Sequence, residues 1–311
     1  MAARPTSRIG LPVAWSTRLR LLAATALLWG LLHFVAGPFA VPRGLDRPIL
    51  LAAAPHPLPA ALILVAVVVA GGGAACLLAG RDRHLPLMAV GLALALWAAE
   101  GGARGGTMES WLRFANERPG PPRGAPYWPL LADYACFAVA LALLGVLSEW
   151  LQSDGPGGRR SWAGAARAAL APDQPGAERR LGPAALLLTT SVAGVVMLAL
   201  VGPVAQAVYR GQVYFAVGVG FFAGTWVATR LLPVRHPLWF WTSPLLLGIV
   251  AATAAALRPT LLLPELYRGS DTIPAWGLVR ALPTETVGVG VFAALWTLRS
   301  KAPPQPAPTT S

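Results

Sequence analysis

Three ionisable residues stand inside long apolar runs, where a charged side chain is costly. Asp133 lies shortly after the start of one run, and Arg280 and Glu285 lie on either side of Pro283 near the start of another. Charged residues in a membrane span generally pair with one another or line the path of a solute. We therefore predict that the three residues form a polar binding site, for which a pairing of Asp133 with Arg280 is geometrically plausible. The alternative for the two acids is stabilisation by the N-terminus of their own helix.

Two further charged residues extend this candidate site. Arg210 follows the fifth apolar run, where an ordinary interfacial arginine is the alternative interpretation. Glu117 belongs to the loop 100–126, in which Thr107 can cap a short amphipathic helix. The apolar face of that helix would carry Met108, Trp111, Leu112 and Ala115, and its polar face Glu109, Arg113 and Glu117. We expect it to cover the outer face of the membrane domain, with gating of a substrate as the alternative.

The candidate substrate-binding residues are thus five charged side chains near one surface of the membrane. They are Asp133, Arg280, Glu285, Glu117 and Arg210.

Motifs for catalysis or cofactor binding are absent from the sequence. It contains no phosphate-binding loop, no His-Glu-x-x-His zinc helix, no paired-cysteine metal spacing and no Gly-x-Ser-x-Gly turn. The single lysine, Lys301, lies in a terminal tail, which excludes Schiff-base chemistry. His84 and His236 could in principle hold a haem iron, although interfacial roles suit them better, and His33 has no evident second ligand at its depth. We assign no catalytic residue, metal or cofactor, and the sequence favours a protein that is not an enzyme.

The elements that must position these residues are apolar helices. Of the 311 residues, 55% are hydrophobic and 12% are charged, against about 25% charged in soluble domains. A helical span needs about 20 residues, and runs of this length lack the two-residue alternation of a barrel strand. We predict an all-α, polytopic membrane protein with about eight transmembrane helices. The runs are 21–41, 59–80, 85–101, 127–151, 183–208, 213–232, 238–257 and 277–298. For the first run, a signal peptide is the alternative.

The basic residues predict the orientation and the partners. If the N-terminus is cytoplasmic, most of the 25 basic residues fall on the cytoplasmic side, as the positive-inside rule requires. This places the protein in the inner membrane as a multi-pass protein with both termini in the cytoplasm. Because the arginines lie between apolar runs, the net charge of +12 does not indicate a nucleic-acid partner.

The longest cytoplasmic piece, 152–182, is a basic linker. Trp162, Ala166 and Leu170 could place a short helix on the membrane, where nearby arginines would meet anionic lipids. A solvated loop that only fixes orientation is the alternative.

The two halves of the chain resemble each other weakly. Ala66, Ala70 and Ala74 recur 150 positions later as Ala216, Gly220 and Gly224, and Arg83-His84 recurs 152 positions later as Arg235-His236. Coincidence in a biased composition is the alternative to a duplication. A duplication predicts two parallel four-helix units, 1–151 and 183–299, followed by a disordered tail, 300–311. The small residues predict that the second and sixth helices approach closely.

These features favour a carrier, or the membrane subunit of a transport system, that binds a small or lipidic solute near the outer face. Its partners would be the lipid bilayer, including anionic lipids, and other protein subunits. A non-catalytic membrane scaffold is the first alternative. A membrane-embedded enzyme acting on a lipid-linked substrate, with Asp133 or Glu117 as general base, is the second.

Overall fold

The computed structural model describes ten ranges of two or more residues and the single residue 82. The ranges are 15–40, 48–51, 54–79, 84–103, 106–116, 125–152, 161–170, 176–201, 209–258 and 277–300. Within these ranges the chain forms helices and no strand, so the predicted all-α class is confirmed. Glu117 and the tail 300–311, apart from residue 300, lie outside the described residues.

Within the described ranges, ten helices follow one another. They are α1 (Trp15–Ala40, with a π-helical turn at Leu32–Ala36), α2 (Pro57–Ala79), α3 (Leu85–Ala103), α4 (Met108–Asn116), α5 (Trp128–Leu151), α6 (Trp162–Leu170), α7 (Gly176–Val201), α8 (Arg210–Leu231), α9 (Leu238–Leu257) and α10 (Pro283–Ser300). Short 3-10 turns, Ala125–Tyr127 and Gly277–Val279, precede α5 and α10.

Among the residues that the structure describes, six helices are long and apolar enough to cross a membrane. These are α1, α2, α5, α7, α8 and α9. The apolar part of α3, Leu85–Gly101, is shorter than the other six. Helix α10 is not among the six, because three threonines, two glycines, Glu285 and Arg299 dilute its apolar character. The chain is therefore a multi-pass membrane protein by the length and composition of its helices.

Proline fixes the start of α10 later than the sequence pattern indicates. The predicted run begins at residue 277, but Gly277–Val279 forms a 3-10 turn and the helix begins at Pro283. Proline suits the first position of a helix because its φ is already helical and it has no N–H to leave unbonded. This start puts Glu285 in the first turn of the helix.

Helix α10 is the buried centre of the bundle, although it is among the less apolar helices. Twelve of its 18 residues are buried, and it packs against α3, α8 and α9. Glycines let α3 and α10 touch through their backbones. A Cβ atom built on Gly288 would lie 2.6 Å from the backbone nitrogen of Ala95, and one on Gly91 would lie 2.8 Å from that of Phe292. Because α10 is surrounded by protein, it does not need the apolar surface of a lipid-facing span.

The expected contact between the second and sixth helices is wrong. The α8 stripe is buried against α7, where a Cβ on Gly220 would lie 3.0 Å from the carbonyl oxygen of Ala193. On α2, Ala66 and Ala70 are exposed. The interior face of α2 instead runs through Gly71 and Gly72, which contact α1 and α5. Small apolar residues suit a lipid-facing surface as well as a helix contact, so the alanine stripe alone could not identify the buried face.

Two short helices flank the spans. The predicted helix in the loop 100–126 is confirmed as α4, whose residues Met108, Trp111 and Leu112 are buried. Its capping is also confirmed, since the Ser110 N–H donates to Thr107 Oγ1 over 3.2 Å. The linker helix forms as α6, and its residues Ala165 and Ala169 pack against the end of α5, while Trp162 and Leu170 are exposed. The membrane contact of that exposed face stays a prediction.

Candidate binding site

Arg210, the first residue of α8, contacts the end of α3, the segment before α4 and the start of α10. These elements meet at one end of the bundle, which we call the polar end. Nη2 of Arg210 lies 2.5 Å from Oε1 of Glu285 and donates to the carbonyl oxygen of Ala98 over 2.8 Å. Its Nη1 donates to the carbonyl oxygen of Gly106 over 2.7 Å. The guanidinium also lies over the ring of Tyr214, with Cζ 5.7 Å from the ring centroid. The planar, multi-donor guanidinium is suited to hold an acid and two carbonyls at once.

Local sequence explains why Arg210 and Glu285 stand at helix starts. Arg210 is the first residue of α8, which Tyr209 and Gln212 cap through a reciprocal pair of hydrogen bonds. Glu285 accepts the N–H of Leu282 through Oε2 over 2.7 Å, as a first-turn carboxylate does when it satisfies a free backbone donor. Both carboxylate oxygens of Glu285 are thus engaged, one by Arg210 and one by the backbone.

A small cavity opens beside this ion pair. Its volume is about 40 Å³, room for about three water molecules. The lining residues come from the start of α4, from α8 and from the segment that leads into α10. They are Thr107, Met108, Glu109, Arg210, Val213, Arg280 and Glu285. The cavity therefore contains two guanidinium groups and two carboxyl groups.

Arg280 is 7% exposed and lies between the Gly277–Val279 turn and α10, outside the six candidate spans. Burial lowers the pKa of its guanidinium, and the nearby carboxylate of Glu109 acts in the opposite direction. Arginine nevertheless remains charged in proteins. The cavity therefore contains the buried positive charge of Arg280, which the nearby carboxylate of Glu109 helps to balance.

Asp133 binds a different part of the chain, the segment 48–51. Its carboxylate is 1% exposed and accepts the N–H of Leu51 through Oδ2 over 3.0 Å. It thereby fixes the segment 48–51 to the second turn of α5. Asp133 is not among the residues that line the cavity.

The structure thus brings together three of the five residues that the sequence singled out: Arg210, Arg280 and Glu285. Arg280 shares its cavity with Glu109 and Glu285, while Asp133 binds the backbone of Leu51. The pairing of Asp133 with Arg280 stays a prediction, and so do the binding roles assigned to all five residues.

Sequence reasoning missed the partner of His33. His33 Nδ1 lies 2.8 Å from Oε2 of Glu100 on α3, and the rings of Trp29 and Phe34 flank the imidazole at 5.4 and 4.6 Å between centroids. The one available signal was that Glu100 is an acid at the end of an apolar run. Since spacing along a chain does not tell which helices touch, this acid could not be matched to His33.

The opposite end of the bundle carries simpler contacts. Nη2 of Arg299, at the end of α10, lies 2.7 Å from Oδ2 of Asp82, which precedes α3. This ion pair connects α10 to the start of α3. His236 Nδ1 accepts the N–H of Leu238 over 3.3 Å, a local bond at the start of α9. No group of three potential metal ligands occurs among the residues that the structure describes.

Fold and site together define a class: an all-helical, multi-pass membrane protein with a cluster of buried charged side chains at one end of its bundle. Comparison with protein-family models, with curated proteins and with solved structures gives no match to the chain.

Proposed function

We propose that the protein is a carrier, or the membrane subunit of a transport system, that binds a small or lipidic solute in the cavity near the outer face. The observation that carries this proposal is the cavity itself, in which Arg210, Arg280, Glu109 and Glu285 converge. A buried charge in a membrane protein costs stability unless it is paired, so a cluster of four favours a role in binding. The position at helix ends gives a solute access from one side of the membrane.

We also propose that α3 and α10 complete a set of eight membrane helices. Both are largely buried by the other helices. A helix in this position meets little lipid, so its shorter or more polar sequence does not prevent it from crossing.

The eight helices are proposed to form two parallel repeats. In the first half, α1 packs on α2 and α3, and α2 packs on α5; in the second half, α7 packs on α8 and α9, and α8 packs on α10. The two halves contact each other where α3 packs on α10 and where α5 packs on α9. If each helix is replaced by its counterpart in the other half, the first of these contacts becomes the second. A two-fold axis along the membrane normal would produce this pattern.

Buried positions support the same correspondence. Adding 153 to the residue numbers of Ala60, Leu64, Gly71 and Ala75 on α2 gives buried residues of α8 in each case. The closest crossings between the halves also correspond. A Cβ on Gly288 would collide with Ala95, and one on Gly248 would collide with the Tyr134 ring. Residues 95 and 248 are 153 apart, and residues 134 and 288 are 154 apart.

For orientation, we propose that the polar end faces outward and that both termini lie in the cytoplasm of a cell with an inner membrane. Arginines at the opposite end support this assignment by the positive-inside rule. They are Arg167, Arg180, Arg230, Arg235 and Arg299. On α6, Arg167 is exposed beside Trp162 and Leu170, a combination suited to anionic headgroups.

The test of function compares two arginine variants in native mass spectrometry of protein purified in a mild detergent. Arg280→Gln alters the cavity, whereas Arg258→Gln removes an equal charge from an exposed residue at the same end. We expect wild type and Arg258→Gln to retain a small molecule or lipid that Arg280→Gln loses. A protein partner bound in fixed stoichiometry, with no small molecule in any sample, would contradict the carrier and favour the scaffold.

A further inference from the structure

We infer that the cavity binds an anionic group, a carboxylate or a phosphate carried by a free solute or by a lipid, and that Glu109 occupies the position of this anion when the site is empty. This inference rests on the proposed binding function of the cavity and adds the chemical class of its ligand.

The four charged residues of the cavity divide into a fixed pair and an exchangeable pair. Arg210 and Glu285 bind each other and backbone groups of Ala98, Gly106 and Leu282, and both also contact the side chain of Tyr214. Three hydrogen bonds to surrounding backbone and a direct ion pair hold these two side chains in place.

The other two charged residues, Arg280 and Glu109, line the same cavity and are close enough for the Glu109 carboxylate to act on the Arg280 guanidinium, but they belong to elements of different burial. Arg280 lies in the buried segment that leads into α10, between Val279 and Ala281, which are 4% and 3% exposed. Glu109 is half-buried in the first turn of α4, a nine-residue helix that packs chiefly against the turn Ala125–Tyr127. The guanidinium of Arg280 is therefore held in the core, whereas the carboxylate of Glu109 belongs to a short helix at the edge of the bundle.

The arrangement favours an anionic ligand over a cationic one. Both oxygens of Glu285 are already bonded, so a cation would have only Glu109 to bind and would meet two guanidinium groups. An anion that replaces Glu109 would keep the balance of two positive and two negative charges in the buried site. Exchanging one carboxylate for another also needs no new cavity volume at the guanidinium.

The size of the cavity argues for replacement. A volume of about 40 Å³ holds about three waters, so an anion bound here would lie against the Glu109 carboxylate, and two negative charges in contact at a partly buried site repel each other. Movement of the Glu109 side chain would open the site. Glu109 is thus an internal competitor whose displacement lowers the apparent affinity for the ligand.

The test measures the binding of three probes to full-length protein in a non-ionic detergent: sodium acetate, sodium phosphate and dioleoyl phosphatidic acid. Ligand-dependent changes in Tm, followed by the fluorescence of the 12 tryptophans, give the apparent Kd. The key variant is Glu109→Gln, and Arg113→Gln on the exposed side of α4 is the control for altered charge on that helix.

We expect Glu109→Gln to bind at least one probe on the order of tenfold more tightly than wild type, because the internal competitor is gone. Arg280→Gln and the double variant Glu109→Gln/Arg280→Gln should lose this binding, and Arg113→Gln should bind like wild type. Binding of acetate or phosphate would indicate a free anion, and binding of phosphatidic acid alone would indicate a lipid phosphate.

Two results would overturn the inference while leaving the proposed function intact. One is a neutral or cationic molecule that wild type retains and Arg280→Gln loses. The other is an affinity for anions that Glu109→Gln leaves unchanged or weakens. If neither wild type nor Glu109→Gln binds any probe and neither retains a small molecule, then the proposed function fails as well.

Discussion

The imidazole of His33 and the carboxylate of Glu100 join α1 to α3 across 2.8 Å, at a place where α1 changes from an α-helix to a π-helical turn. The two side chains are 29% and 24% exposed, and they lie next to apolar surface that includes Phe34. A π-helical turn within an α-helix often marks a functional position. Here it lies at the residue whose side chain connects α1 to α3.

We expect this pair to contribute measurably to stability. Glu100→Gln and His33→Asn should each lower the free energy of unfolding by about 1 kcal/mol, since a partly buried hydrogen bond to a charged group is lost. A double-mutant cycle from Tm or denaturant unfolding would measure the coupling, which should be about 0.5–1.5 kcal/mol. Strictly additive effects of the two substitutions would show that the contact contributes nothing.

The crossing of α3 and α10 should be sensitive to a single methyl group. In Gly288→Ala the new Cβ would meet the backbone of Ala95 at 2.6 Å, and backbone cannot move aside as a side chain can. We expect a loss of about 1–3 kcal/mol, the usual range for overpacking, measured as a lower Tm in detergent. Gly30→Ala is the matched control, since no atom lies within 4 Å of its added Cβ. Equal Tm values for the two variants would contradict the close crossing.

The Arg210–Glu285 pair should be the most sensitive contact of the polar end. Arg210→Gln leaves the 4% exposed carboxylate of Glu285 without its cation, and removing one partner of a buried pair typically costs about 3–5 kcal/mol. The measurement is Tm together with the yield of monodisperse protein. The double variant Arg210→Gln/Glu285→Gln should recover part of the loss because no buried charge remains.

Arg210→Lys distinguishes charge from geometry at the same position. Lysine retains the positive charge but cannot present the planar donors that reach Glu285, Ala98 and Gly106 together. We expect a Tm between those of wild type and Arg210→Gln. A Tm equal to that of wild type would show that the backbone contacts are unimportant.

Local features of the fold were predictable from sequence, and contacts between helices were not. Apolar runs located the helices, proline explains the start of α10 at Pro283, and the cap of α4 at Thr107 follows from residue type. Each of these depends on neighbours within a few positions. The partners Glu100 for His33 and Leu51 for Asp133 are 67 and 82 positions away, and helical periodicity defines a face without saying what covers it.

The residues of the candidate site were likewise predictable where local sequence identifies them, and not where contacts between helices do. Arg280 and Glu285 were recognisable because a charge in an apolar run is exceptional, and Arg210 because it closely follows such a run. Glu109 was recognisable as part of an amphipathic helix, but its place in the cavity depends on how α4 packs. Long-range packing also explains why the small residues Ala66 and Ala70, which resemble a helix contact in sequence, lie on the exposed face of α2.

The orientation of the bundle can be tested by labelling single cysteines. In a background with Cys76→Ala and Cys136→Ala, Tyr209→Cys reports the polar end and Ser161→Cys reports the start of α6, and both of these positions are exposed. The distribution of arginines predicts that an impermeant maleimide added to intact cells labels position 209 but reaches position 161 only after the membrane is permeabilised. The reverse pattern would place Arg210, Arg280 and Glu109 on the cytoplasmic side. The cavity would then receive its solute from the cell interior, and the proposed outward-facing site would be wrong.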